Sequence, residues 1–213
     1  MERIDKNIND FKKDTLAIDQ FLTGTRISYS FFNKEYPRLL KEFSEKDRAI
    51  DEAEGMELLT NLNQELPKYE ESIFTFCFIN LIARTEAFLN DILESIYLER
   101  NTVLSEELMK KSILKFSHSS FKDKIKFLKN KFNLVFPEIN NHSPSLTELF
   151  GTRNLIMHNN GLVNETYLKL NRESEFNLGD KRVVNEEYLK LTIVLLILVA
   201  KSIEKQVKEQ QNQ

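Results

Sequence analysis

Apolar residues recur at three- and four-residue steps along most of this sequence, the spacing that gathers side chains on one face of an α-helix. The clearest stretch runs from Tyr69 to Arg100, where Phe74, Phe78, Leu81, Thr85, Phe88, Ile92 and Ile96 form a wide stripe. It predicts a long helix at the centre of the core. Residues 3 to 34 carry Ile4, Ile8, Phe11, Leu16, Phe21 and Leu22 between charges, an amphipathic pattern that reads as one or two helices. Residues 36 to 66 keep a helix-forming composition around Pro37, but the acidic stretch Glu42 to Glu54 ends at Gly55, and a further pattern stops at Pro67. The sequence thus divides into an N-terminal helical appendage over 1–66 and a main helical domain over 67–213.

Within the main domain a shorter helix is expected from Ser105 to Phe116, where Ser105 followed by Glu106 and Glu107 suits a helix start. The next, from about Ser120 to Phe132, places Phe121, Ile125, Leu128 and Phe132 on one stripe and Lys122, Lys124, Lys126, Lys129 and Lys131 on the rest. A loop through Pro137 and Asn140 to Pro144 leads into a helix over Ser145 to His158, with Ser143 or Ser145 as its cap. Asn159-Asn160-Gly161 is a C-terminal stop signal. After a linking segment, Gly179-Asp180 between short apolar runs marks a small hairpin or a turn, and the last helix spans Asn185 to about Gln210. The predicted fold class is all-α.

Composition agrees: the chain is 41% hydrophobic and 30% charged, with only 5 Gly and 4 Pro in 213 residues, so it lacks the punctuation that sheets need. The single cysteine, Cys77, sits in an apolar run and reads as a buried hydrophobe. One cysteine and three scattered histidines do not make a zinc or iron–sulfur motif, so neither metal nor cofactor is expected. No secretory signal opens the chain, and the apolar run Leu191 to Ala200 is about half a membrane span. No membrane partner and a cytoplasmic location are expected. The net charge of −3 argues against wholesale capture of nucleic acid, yet eight lysines face one acid between Lys110 and Lys131. This stretch is either a solvated lysine face or a track for a polyanion.

Asn154 and His158 are four residues apart on one helical face, and Arg153 is long enough to reach round to them. The three can converge on one phosphate. His158 falls in the last turn, where the negative end of the helix dipole favours positive charge and so suits a proton donor. RNA carries its own nucleophile in the 2′-hydroxyl, so its cleavage needs only in-line geometry, proton transfer and stabilisation of added negative charge. A reaction that uses both a base and an acid is awkward with one histidine. A two-fold dimer that joins two copies of this helix resolves the difficulty.

The run Arg153-Asn154-Leu155-Ile156-Met157-His158, followed by Asn159-Asn160-Gly161, resembles the signature of the HEPN family: an arginine, a polar residue, a short spacer and a histidine. The resemblance covers roughly residues 70 to 205. It implies a HEPN-like helical bundle that dimerises through the motif helices. It also implies a metal-independent endoribonuclease of the kind found in toxin–antitoxin, abortive-infection and other antiviral systems, regulated by an antitoxin or a defence partner protein. By the same resemblance Glu86, in Arg84-Thr85-Glu86-Ala87-Phe88, matches the acidic residue that orients the motif arginine.

The expected catalytic set is thus Arg153, Asn154, His158 and Glu86, with Lys122, Lys124, Lys126, Lys129 and Asn159 contacting RNA. His118 and His142 lie in polar loop contexts and read as solvated, His118 being close enough to the lysines to touch RNA. The competing functions are a non-catalytic HEPN module that binds a partner protein or nucleotide, and a structural helical scaffold.

Overall fold

A computed structural model describes residues 2–47, 52–99 and 105–211, with only part of the side chains between 29 and 68. Its helices are α1 (Glu2–Asp47), α2 (Glu52–Glu99), α3 (Glu106–Ser117), α4 (Phe121–Phe132), α5 (Pro137–Asn141), α6 (Ser143–Asn159), α7 (Glu165–Leu170) and α8 (Glu186–Gln211). There is no strand among the described residues. The fold is all-α.

Three long helices carry the core. In α1, Ile4, Ile8, Phe11, Thr15 and Leu22 are buried, and with half-buried Ile18 they keep the alternating three- and four-residue spacing that seats one helix along another. The partner is α2, and the two run antiparallel. As the residue number rises along α1 it falls along α2: the Ile4 amide donates to Glu99 at 3.4 Å, Asn7 to Ser95 at 3.1 Å, Phe11 stacks on Phe88 at 4.4 Å, and Asp14 pairs with Arg84. Helix α8 packs on both α1 and α2 and runs antiparallel to α1, with ion pairs from Lys12 to Glu204 and from Arg26 to Glu186, so its cover of α1 ends near Arg26. Beyond Leu22, no described side chain of α1 is buried.

The stripe of α2 is broader than the sequence pattern showed. Phe78, Leu81, Ile82, Leu89, Ile92 and Leu93 are fully enclosed, because α2 packs on α1, α3, α4, α6 and α8. Among the described residues the stretch Tyr69–Glu99 is long and apolar enough to cross a membrane by length and composition; in this fold it supplies the centre of the core. Cys77 is buried, and burial pushes its thiol up from the ordinary value.

Several boundaries differ from expectation. Helix α1 runs unbroken through Pro37, and α2 runs through Gly55 and Pro67, where breaks were expected. A lone proline removes one backbone hydrogen bond and costs about 3 kcal/mol. A helix with many bonds on either side can absorb that. The division at residue 66 therefore falls inside α2, and the first 22 residues of α1 share one core with the rest. Residues 48–51 of the acidic stretch, and Arg100, lie outside the described residues.

Ser105 and Ser120 cap α3 and α4 through their side chains. Neither Ser143 nor Ser145 caps α6. His142 holds that position without a side-chain capping bond, because α5 leads directly into α6 and Pro144 occupies the first turn. The segment around Gly179 makes no hairpin with itself. Its turn, closed by the Asn177 amide on the Asp180 carboxylate at 2.6 Å, returns the chain to the end of α6, where Leu162 and Lys181 form an isolated antiparallel bridge.

Candidate functional site

Helix α6 buries Leu146, Leu149, Thr152 and Leu155. Arg153, one turn after Leu149, borders this face with a side chain 26% exposed. Asn154 and His158 point outward and are exposed. The Arg153 guanidinium donates from Nη1 to Asn154 Oδ1 at 3.1 Å. Its Nη2 lies 3.9 Å from Oε2 of Glu86 on α2, a salt-bridge distance but too long for a hydrogen bond. Its Nε is buried with no partner. Glu86, Arg153 and Asn154 are thus brought together across two helices. His158 stands one turn beyond Asn154 on the same face, with no side-chain hydrogen bond among the described residues.

The helix ends on two consecutive left-handed residues, Asn160 at φ 52° and Gly161 at φ 75°. The Gly161 amide donates back to the Leu155 carbonyl at 2.9 Å, and the Arg182 amide donates to the Gly161 carbonyl at 2.8 Å. Lys181 caps the Asn160 carbonyl. The Asn159 side chain donates to the Leu162 carbonyl, so this candidate RNA contact serves the turn that ends the motif helix.

Of the expected basic residues, Lys122, Lys126 and Lys129 are exposed on α4, and Lys124 is not. Lys124 is 1% exposed, with its Nζ unpaired and 5.5 Å from the Phe116 ring centroid. It stands three residues after Phe121 and four before Leu128, on the apolar stripe rather than the basic face. Beside the exposed lysines a cavity of about 590 Å³ opens between α3 and α4, with Phe116 and Phe127 in its wall and Lys115, Lys126 and Lys131 at its rim. Phe121 stacks on Phe150 at 4.6 Å and ties α4 to α6.

Behind the motif lies a network that the sequence pattern did not reveal. Glu148 accepts hydrogen bonds from Thr152 at 2.8 Å, Tyr167 at 2.8 Å, Arg182 at 3.1 Å and Tyr188 at 2.6 Å. Arg182 is sandwiched between Phe176 at 4.8 Å and Tyr188 at 4.0 Å. Burial, and then the Glu148 charge, push the Tyr167 hydroxyl up from its ordinary value and the Tyr188 hydroxyl further, so both remain donors. Glu148 thereby pins α6, α7 and α8 together. Its partners lie 4, 19, 34 and 40 residues away, and no local spacing announces them.

Among the described residues no three His, Cys, Asp or Glu side chains gather as a metal site would need. Comparison of the chain with protein-family models, with curated proteins and with solved structures finds no match.

Proposed function

We propose that this chain is a metal-independent endoribonuclease of the HEPN type, acting as a toxin or antiviral effector. The observation that carries the reading is the arrangement of Arg153: half-buried, beside Asn154 of its own helix and Glu86 of α2, with His158 exposed one turn further on. A guanidinium so placed offers fixed donors to a phosphate oxygen.

In this reading the RNA 2′-hydroxyl attacks the adjacent phosphorus and the 5′-oxygen leaves. Products carry a 2′,3′-cyclic phosphate and a 5′-hydroxyl. Arg153 stabilises the charge that builds on the phosphorane oxygens, and Asn154 orients the phosphate. One motif histidine is available per chain, so His158 of two protomers would share the roles of base and acid in a homodimer formed through the motif helices. Lys122, Lys126 and Lys129 would guide the RNA backbone, and an antitoxin or defence partner would hold the activity in check.

A second reading is a non-catalytic HEPN module that binds a protein or nucleotide. It draws on the same Glu86, because an acid beside the arginine can also be a packing device. Incubating wild type, His158→Ala and Arg153→Ala with total RNA and tRNA in excess EDTA separates the two. The enzyme reading expects cyclic-phosphate ends from the wild type alone; RNA left intact by all three would favour the binding module.

A further inference from the structure

Three buried side-chain polar atoms have no hydrogen-bond partner among the described residues: Asn90 Oδ1, Lys124 Nζ and Arg153 Nε. They belong to α2, α4 and α6, which pack pairwise on one another, and Asn90 follows Glu86 by one turn of α2. Lys124 and Arg153 bring two cations to this junction, and the carboxylate that acts on both is Glu86.

An unpaired ammonium inside a protein is unfavourable, and an apolar side chain of similar length would fill the same space at lower free energy. Packing alone therefore does not account for the charge of Lys124. Burial holds its ammonium below the usual lysine range, and the Glu86 charge pulls it part of the way back. Glu86 makes no hydrogen bond to Arg153, although at 3.9 Å a small movement would close the pair. Among the described residues the carboxylate is hydrogen-bonded to neither cation.

We infer that Lys124 is a positioning residue of the candidate site, drawing the Glu86 carboxylate inward so that Arg153 is not sealed in a closed ion pair and stays open to a phosphate oxygen. The inference rests on reading Arg153 as the phosphate-binding group. Removing the lysine charge lets Glu86 close on Arg153. The open fraction of Arg153 then falls, and apparent affinity for RNA falls with it.

The experiment compares wild type, Lys124→Met, Glu86→Gln and the double variant by two readouts. The first, made without RNA, is the NMR exchange rate of the Arg153 Nε–H. It should slow severalfold in Lys124→Met and quicken in Glu86→Gln, whose half-exposed site tolerates the change even if the methionine variant folds poorly. The second is cleavage of tRNA: Lys124→Met should raise KM about tenfold with kcat little changed, and should have no further effect once Glu86 is Gln. An unchanged Arg153 exchange rate in both single variants, or a KM effect of the same size in the Glu86→Gln background, overturns the inference. Slowed exchange in a protein whose wild type cuts no RNA supports the Lys124–Glu86–Arg153 arrangement and sinks the ribonuclease reading instead.

Discussion

A lysine held inside a protein with its charge unpaired makes folding depend on pH. The folded state holds the Lys124 proton less tightly than the unfolded chain, whose lysine titrates near the ordinary 10.5. Between the lowered folded value and 10.5 the unfolded chain binds more protons, so this group adds stability as pH rises through that window and withholds it below. In urea titrations across the alkaline range, wild type should gain on Lys124→Met as pH approaches 10.5; parallel pH profiles for the two would show that Lys124 is not the responsible group. The lysine also marks where reading by residue type fails. Its spacing from Phe121 and Leu128 places it on the inner stripe, but its charge argues for the outside. The closeness of Arg153 to Asn154 was more legible, because both are fixed by position on one regular helix, whereas Glu86 came only from the family resemblance. Glu148 was not, since its four donors meet only after three helices have packed.

The turn after α6 joins two kinds of local chemistry. Gly161 has φ 75°, and a Cβ added there would meet the Arg182 carbonyl oxygen at 3.1 Å. Gly161→Ala should therefore destabilise by about 1–3 kcal/mol and loosen the end of α6 that carries His158. Chemical denaturation measures the first effect, and amide exchange at Leu162 and Val163 the second; an unchanged midpoint would mean that the turn yields without strain. The stop at Asn159-Asn160-Gly161 was readable because left-handed helix ends favour Asn and Gly. The ends of α1 and α2 were less so. Proline and glycine weigh heavily in a local reading, but a long helix absorbs one of them against the many backbone bonds on either side. The small elements α5 and α7, in segments read as loop and linker, are too short to leave a periodic signal.

For the whole molecule, the all-α class followed from composition and spacing alone, whereas the way the N-terminal helix enters the core required the tertiary contacts. The proposed reaction sets a requirement on assembly, since each chain supplies one motif histidine. If two must meet, wild type mixed with increasing proportions of freely exchanging His158→Ala at constant total protein should lose activity as the square of its fraction. A linear loss would mean that each chain works alone. Helices α1 and α2, with 46 and 48 residues, are each about 70 Å long at ~1.5 Å per residue, yet α8 accompanies α1 only to Arg26. A body with such a rod attached drags more water than a sphere of the same mass. Even a monomer of 25.1 kDa will leave a sizing column early, at a volume that mimics a larger compact particle. The count of chains is therefore best read from light scattering or sedimentation equilibrium, where mass is separated from friction.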